Sequence, residues 1–156
     1  MLLLSACGFQ LRGTNLANLN QQIIFLHSET PYGELEKILK RDLKAAGAVM
    51  ASDSERAQIS LNLIRLEFDT QGVGRDSTGR ANETLLNAEL EFELVTAKML
   101  LAEEVITPRL LKARRSYYQD YRNPVSEQNL QRQAREEIIN ELASRLARQV
   151  HWLAAN

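Results

Sequence analysis

The sequence predicts an α+β two-layer sandwich, with two helices packed on one face of a mostly antiparallel four-stranded sheet. Two segments, residues 30–47 and 123–152, carry apolar residues at the 3.6-residue spacing of amphipathic helices. Between them, residues 57–118 largely alternate between apolar and polar side chains, as half-buried strands do. A short apolar run precedes the first helix, so the predicted order is β-α-β-β-β-α. In such a sandwich the helices and the sheet bury their apolar faces against each other.

The first strand and the first helix are predicted within residues 22–47. Residues 22–27 (QIIFLH) are apolar, β-branched and aromatic, which is typical of a buried strand. Thr30 and Pro31 then predict the N-cap and the first residue of a helix. Gly47 suits the position just beyond the helix end, where the chain often adopts a left-handed conformation. The apolar stripe of this helix comprises Leu35, Ile38, Leu39, Leu43 and Ala46.

The second strand is predicted to contain an irregularity. Its apolar residues change parity at Leu63 and Ile64, which indicates a β-bulge or a strong twist. Residues 71–82 (QGVGRDSTGRAN), which follow, predict a loop.

The third and fourth strands are predicted to pair through opposite charges. Residues 86–94 alternate between apolar and mostly acidic side chains, and residues 96–99 predict a tight turn. The fourth strand covers residues 101–118, with an edge, a bulge or a break at Pro108. Antiparallel pairing would place some cations of this strand opposite the acidic face, which favours one register.

Asn123 and Pro124 predict the N-cap and the first residue of the last helix, which runs to about Trp152. Its apolar stripe recurs every four residues, at Leu130, Ala134, Ile138, Leu142, Leu146 and Val150.

The composition is that of an ordinary globular domain. The chain has 156 residues, of which 44% are hydrophobic and 25% charged, and its formal net charge is −1. One compact domain is therefore expected. The near-zero charge excludes the global basic field of a nucleic-acid-binding protein. No apolar run approaches the roughly 20 residues of a membrane-spanning helix.

The first residues predict a lipid anchor. The run Leu4-Ser5-Ala6-Cys7-Gly8 is the processing pattern of a bacterial lipoprotein, in which cleavage precedes a cysteine that receives an N-acyl and an S-diacylglycerol group. Cys7 is the only cysteine, so it has no disulfide partner within the chain. The alternative is a small buried cysteine. The predicted organisation is a signal remnant at 1–6, a lipidated tether at 7–20 and a single α+β domain at 21–156.

Catalytic and metal-binding patterns are weak. The two histidines, His27 and His151, lack neighbouring cysteines or acidic residues at metal-ligand spacing, so no metal or cofactor is predicted. Arg75 and Arg80 lie in the Gly-rich loop, which is either a plain hairpin loop or a basic tip for anionic groups. Arg114 and Arg115 precede a pair of tyrosines. They suit a protein interface or a phosphosugar site, or they only balance the acidic strand.

Two motifs make the chain resemble the LptE family of lipopolysaccharide-assembly lipoproteins. Residues 7–13 (CGFQLRG) resemble the lipidated start of that family, and residues 115–118 (RSYY), shortly before Asn123 and Pro124, resemble the aromatic end of its fourth strand. The resemblance implies a non-enzymatic lipoprotein on the periplasmic side of the Gram-negative outer membrane. Such a protein plugs and helps assemble an LptD-type β-barrel and binds lipopolysaccharide, with no role in nucleic-acid binding.

The resemblance also implies basic contacts to lipopolysaccharide. One family position, in the loop between the second and third strands, corresponds to Arg75, with Arg80 as its neighbour. A second lies near the start of the last helix, where Arg132 is the nearest cation. Arg114 and Arg115 are the alternative location.

Two other functions remain open from the sequence. One is an accessory lipoprotein of another envelope transport or division complex, without lipopolysaccharide binding. The other is a lipid-anchored periplasmic hydrolase, which would require a perturbed carboxylate or a Ser/His pair in a cleft. The sequence offers no such pair.

Overall fold

The fold is an α+β sandwich built on a five-stranded mixed sheet. The computed structural model describes residues 19, 21–29, 33–75, 79, 81–118 and 124–155. The elements are β1 (Ile23–Ser28), α1 (Glu34–Ala45), β2 (Val49–Met50), β3 (Ile59–Arg75), β4 (Ala81–Thr96), α2 (Ala97–Leu101), β5 (Arg109–Tyr118) and α3 (Pro124–Ala155). The strand order is β2-β1-β3-β4-β5.

The predicted antiparallel meander is present as β3, β4 and β5, and β1 joins it in parallel to β3. The prediction of four strands was wrong, because β2 adds a fifth strand parallel to β1. It follows the turn at Gly47, whose φ of 93° confirms the predicted left-handed position. The Val49 amide donates to the Gln22 carbonyl at 2.9 Å, and that bond starts the added strand.

The two long helices begin at Glu34 and at Pro124. Helix α1 starts at Glu34, with Gly33 as an N-cap that provides no side-chain hydrogen bond. The predicted start at Thr30 and Pro31 lies outside the described residues. Pro124 is the first residue of α3, as predicted, and Asn123 lies outside the described residues. Helix α3 ends at Ala155, slightly beyond the predicted end.

The parity change in β3 is a β-bulge, as predicted. The register of β3 against β4 shifts between Leu63 and Arg65. Leu61 and Leu63 are buried before the shift, and Leu66 and Phe68 pack against the same core after it. The extra residue therefore keeps the apolar side chains on the helix-covered face throughout the strand.

The β3–β4 hairpin is longer than predicted. Residues 71–75 and 81–82, predicted as loop, belong to the strands, and Gln71 pairs with Leu85 and Gly72 with Thr84. Pairing of β3 with β4 extends to Arg75 despite the glycines, because strand pairing depends on context more than on intrinsic propensity. After the bulge between Leu63 and Arg65, the register shifts again between Gly72 and Arg75.

The predicted turn and the first half of the fourth strand have a different structure. Residues 97–101 form the short helix α2, which Thr96 caps by accepting a hydrogen bond from the Met99 amide. Strand β5 begins at Arg109, directly after Pro108, so the strand predicted for 101–108 is absent there. Proline has no N–H group to donate to the hydrogen bonds of the sheet, so β5 starts only after Pro108.

The core lies between one face of the sheet and the helices α1 and α3. Its fully buried side chains include Ile24, Leu39, Leu61, Leu90, Phe92, Ile138, Leu142 and Leu146. Leu19, within the predicted tether 7–20, is also buried, and its amide donates to the Ala46 carbonyl at 2.8 Å. The packed domain therefore includes Leu19, two residues before the predicted boundary. None of the described helices is apolar enough over a sufficient length to cross a membrane.

Candidate binding surfaces

The face of the sheet turned away from α1 and α3 is open and polar. Side chains alternate along a strand, so burial of one parity leaves the other parity on this face. On β3, β4 and β5 it forms a groove of about 750 Å³. The charged and amide side chains that line the groove are Glu67, Asp69, Asn87, Glu89, Lys112 and Arg114.

Several charges on this open face pair across strands. Lys112 forms an ion pair with Glu89, its directly opposite residue on β4. Arg65 binds Glu67 at 2.9 Å and Glu91 at 3.3 Å. The predicted pairing of the acidic strand with cations of the last strand is thus confirmed for Lys112.

Among the described residues, Arg114 is the cation of this groove that has no ion-pair partner. It lies opposite Asn87 in the register, and its side chain is exposed. Among the described residues, no carboxylate lies within ion-pair distance of its guanidinium. An exposed arginine with this freedom suits a bidentate contact to a phosphate or carboxylate of a ligand.

Arg115 has a different role from Arg114, although the sequence suggested one basic region. Neighbouring residues of a strand point to opposite faces, so Arg115 lies on the helix side. Its guanidinium contacts Glu141 of α3 at 2.8 Å and Glu137 at 3.3 Å. These two carboxylates hold Arg115 against α3, and its predicted part in ligand binding is not supported by this position.

The other predicted site residues are not brought together by the described structure. Arg132 is exposed on α3, where it donates to the Asn129 side chain at 2.9 Å and lies 4.0 Å from Glu136. The backbone of Arg75 ends β3, paired with Ala81. Cys7 and Arg80 lie outside the described residues.

Tyr117 is a buried polar group beneath the start of α3. Its side chain is only 7% exposed, and Thr84 faces it across the β4–β5 pair. Burial raises the pKa of the Tyr117 phenol above its usual range. The charge of Glu127 adds to the rise in this pKa, and a hydrogen bond with the Thr84 side chain partly offsets it. The phenol is therefore held in its neutral form.

The structure contains a second basic surface that was not predicted from the sequence. Arg145 and Arg148 of α3 lie beside Trp152 and Arg109 along one cleft at the far end of the sheet. The spacing of Arg145, Arg148 and Trp152, at i, i+3 and i+7, was the available signal, since such residues share a helix face. The described residues contain no cluster of three or more His, Cys, Asp or Glu side chains suited to a metal ion.

A sandwich with one sheet face covered by helices and the other left open and charged has a surface of the kind that binding modules use. The sequence model of the LptE family, described as lipopolysaccharide assembly, matches residues 21–152. The chain belongs to this family. This family is one of non-enzymatic assembly lipoproteins, as the resemblance implied.

Known relatives agree with this assignment, and solved structures show the same fold. The LPS-assembly lipoproteins LptE of Yersinia pestis and Yersinia pseudotuberculosis are each 24% identical over 153 residues, covering 96% of this chain and 70% of theirs. Lipoprotein B of Nitrosomonas europaea has the same fold, with a TM-score of 0.72 at 15% identity over 95% of this chain and 93% of that one. Rare lipoprotein B of Shewanella oneidensis also has this fold, with a TM-score of 0.65 at 19% identity over 86% of this chain and 94% of that one.

Proposed function

We propose that the protein is anchored by a lipid on Cys7 at the periplasmic side of the outer membrane, where it plugs and helps assemble an LptD-type β-barrel. In this role it binds lipopolysaccharide for delivery to the outer leaflet. The observation that carries the proposal is the open, charged face of the sheet in a member of the LptE family.

The open face suits enclosure by a hydrated protein wall. Large transmembrane barrels have polar interiors, so a plug needs a surface that keeps its polar groups solvated or paired. Strands β3, β4 and β5 meet this requirement through the pairs Lys112–Glu89 and Arg65–Glu91. These pairs leave few uncompensated charges to desolvate when a partner approaches.

Lipopolysaccharide offers phosphates and acyl chains, and the phosphates select arginine. Arg75 and Arg80 at the hairpin remain the first candidates, by family resemblance. Arg114 is the alternative, because it is exposed beside the groove and has no carboxylate partner among the described residues. Arg115, held by two carboxylates of α3, is the least available of these cations.

The partner is tested by recovering the tagged full-length lipoprotein from solubilised outer membranes and identifying co-purified proteins by mass. A stoichiometric barrel of the LptD type is the expected result. Recovery of an inner-membrane transporter, or of no partner, would contradict the proposal and favour an accessory lipoprotein of another complex. In the same cells Cys7→Ala should release the protein from the membrane fraction.

The ligand site is tested by lipopolysaccharide binding to purified protein. The pair Arg75→Asp and Arg80→Asp should weaken binding about tenfold or more, because a reversed charge repels phosphate. Arg132→Asp tests the second family position in the same way. Arg56→Asp, whose side chain is 81% exposed and lies outside the predicted sites, is the matched control. Unchanged binding by the double variant together with loss in Arg114→Asp would move the site from the hairpin to the groove.

A further inference from the structure

An exposed tryptophan stands between two clefts at the end of the sheet where β3 and β5 begin. One cleft of about 390 Å³ is lined by Arg109 and Leu111 of β5 and by Arg145, Arg148, Gln149 and Trp152 of α3. Among the described residues, three guanidinium groups and no acidic side chain line this cleft. The second cleft, of about 500 Å³, shares Arg109 and Trp152 and extends to α2.

The arginines of the first cleft are arranged to attract an anion. Arg145 is fixed by Glu141 at 3.6 Å and by a hydrogen bond to the Lys112 carbonyl. Arg109 and Arg148 are exposed, and neither has a carboxylate partner within the described part of the chain. Guanidinium groups match phosphate oxygens in geometry and charge, so this cleft suits a phosphate group.

Apolar side chains surround the same end and face solvent. Leu101 of α2 is 87% exposed, Val105 in the following segment 85% and Trp152 64%. Met99 and Glu104, which are close in sequence to Leu101 and Val105, line the second cleft together with Trp152. Exposed leucine, valine and tryptophan beside cations are typical of surfaces that enter the headgroup region of a bilayer. Glu103 and Glu104 are the acidic exceptions here.

The N-terminal chain reaches the domain at this end. Gln22, just before β1, lines the second cleft, and Leu19 packs beside the C-terminus of α1. Twelve residue steps separate Leu19 from Cys7, so the chain between them spans at most about 40 Å. The hairpin lies at the opposite end, sixteen residue steps along β3 from Ile59, which is about 50 Å for an extended strand.

We propose that this end docks on the surface of a bilayer that contains anionic phospholipids. The anchor-proximal patch, defined as Leu101, Val105, Arg109, Arg145, Arg148 and Trp152, is the contact surface. A headgroup phosphate binds in the arginine cleft, and Leu101, Val105 and Trp152 enter the interface beside it. This inference rests on the proposed function, because the proposed lipid anchor at Cys7 keeps this end of the domain near the membrane.

The test uses the full chain with Cys7→Ala, so that no acyl group contributes to binding. Trp152 is the only tryptophan of the chain, and its fluorescence therefore reports on the patch alone. Vesicles of phosphatidylglycerol and phosphatidylcholine should shift its emission to the blue and sediment the protein. Vesicles of phosphatidylcholine alone should bind at least tenfold less.

Two variant pairs locate the contact. Arg109→Glu with Arg148→Glu should reduce binding to anionic vesicles at least tenfold, and Leu101→Glu with Val105→Glu should abolish the blue shift. Val125→Glu is the matched control, because Val125 is 69% exposed at the other end of α3. Circular dichroism establishes that every variant is folded.

Three results would overturn the proposal: no blue shift with anionic vesicles, equal loss in Val125→Glu, or quenching by inorganic phosphate without vesicle binding. The last result would mean a free-phosphate site. Co-purification of the barrel with the patch variants distinguishes this proposal from the proposed function. If a patch variant loses vesicle binding but still co-purifies with the barrel, the effect is confined to the patch. If the protein binds vesicles but co-purifies with no barrel, only the proposed function is refuted.

Discussion

The guanidinium of Arg115 and the carboxylate of Glu141 lie 2.8 Å apart and join the edge strand β5 to the long helix α3. Glu137, one turn earlier on the helix, contacts the same guanidinium at 3.3 Å. The preceding residue, Arg114, points to the opposite face and lines the open groove. Two adjacent arginines therefore divide between holding the fold and facing a ligand.

Arg115→Ala should lower the free energy of unfolding by about 1 kcal/mol, since partly exposed ion pairs contribute roughly 0.2–1 kcal/mol each. Arg114→Ala should change it by less than about 0.5 kcal/mol, as surface substitutions usually do. Urea denaturation of the two variants measures the difference. Equal losses would mean that the contacts of Arg115 with α3 contribute nothing to stability.

Tyr117 should make the protein less stable at alkaline pH. Its folded-state pKa is raised, so the neutral phenol stabilises the fold fully below the unfolded-state pKa, near 10. Above that value the unfolded chain loses this proton first, and stability falls until the folded-state pKa is passed. Tyr117→Phe should reduce this alkaline decline in urea-denaturation midpoints. Tyr118→Phe makes the same chemical change at a 70% exposed residue and is the matched control.

The strands with strong alternation were predictable from sequence, and so was the bulge between Leu63 and Arg65. Both depend on whether the odd-numbered or the even-numbered positions of a strand are apolar, and this pattern is read from neighbouring residues alone. Strand β2 was not predictable, because the two residues Val49 and Met50 have no measurable periodicity. Their pairing with β1 depends on the turn at Gly47 and on the distant partner strand.

The candidate sites were less predictable, because they join segments far apart in the chain. Alternation indicates that Arg114 and Arg115 point to opposite faces. Alternation does not indicate that Glu141 of α3 lies on the face to which Arg115 points. The anchor-proximal patch likewise combines α2, the start of β5 and the end of α3. Only the helical spacing of Arg148 and Trp152 was visible in the sequence.

The ion pair between Lys112 and Glu89 should contribute to the register of β4 and β5. Lys112→Glu places like charges directly opposite each other and should lower stability by about 0.2–1 kcal/mol. Adding Glu89→Lys restores opposite charges and should recover most of the loss. A double-mutant cycle in urea, repeated in high salt, measures the coupling. A coupling free energy of zero in low salt would show that the pair has no part in register.

Leu19 should be a core residue in energetic terms, although it lies in the segment predicted as a tether. It is 1% exposed and packs where α1 ends, with its carbonyl accepting from the Gln22 amide at 2.7 Å. Leu19→Ala should lower the free energy of unfolding by about 2–5 kcal/mol, as truncation of buried leucines does. Leu101→Ala makes the same chemical change at an 87% exposed site and should cost less than about 0.5 kcal/mol. Urea denaturation in the absence of lipid compares the two, and similar small losses would place the start of the stable domain after Leu19.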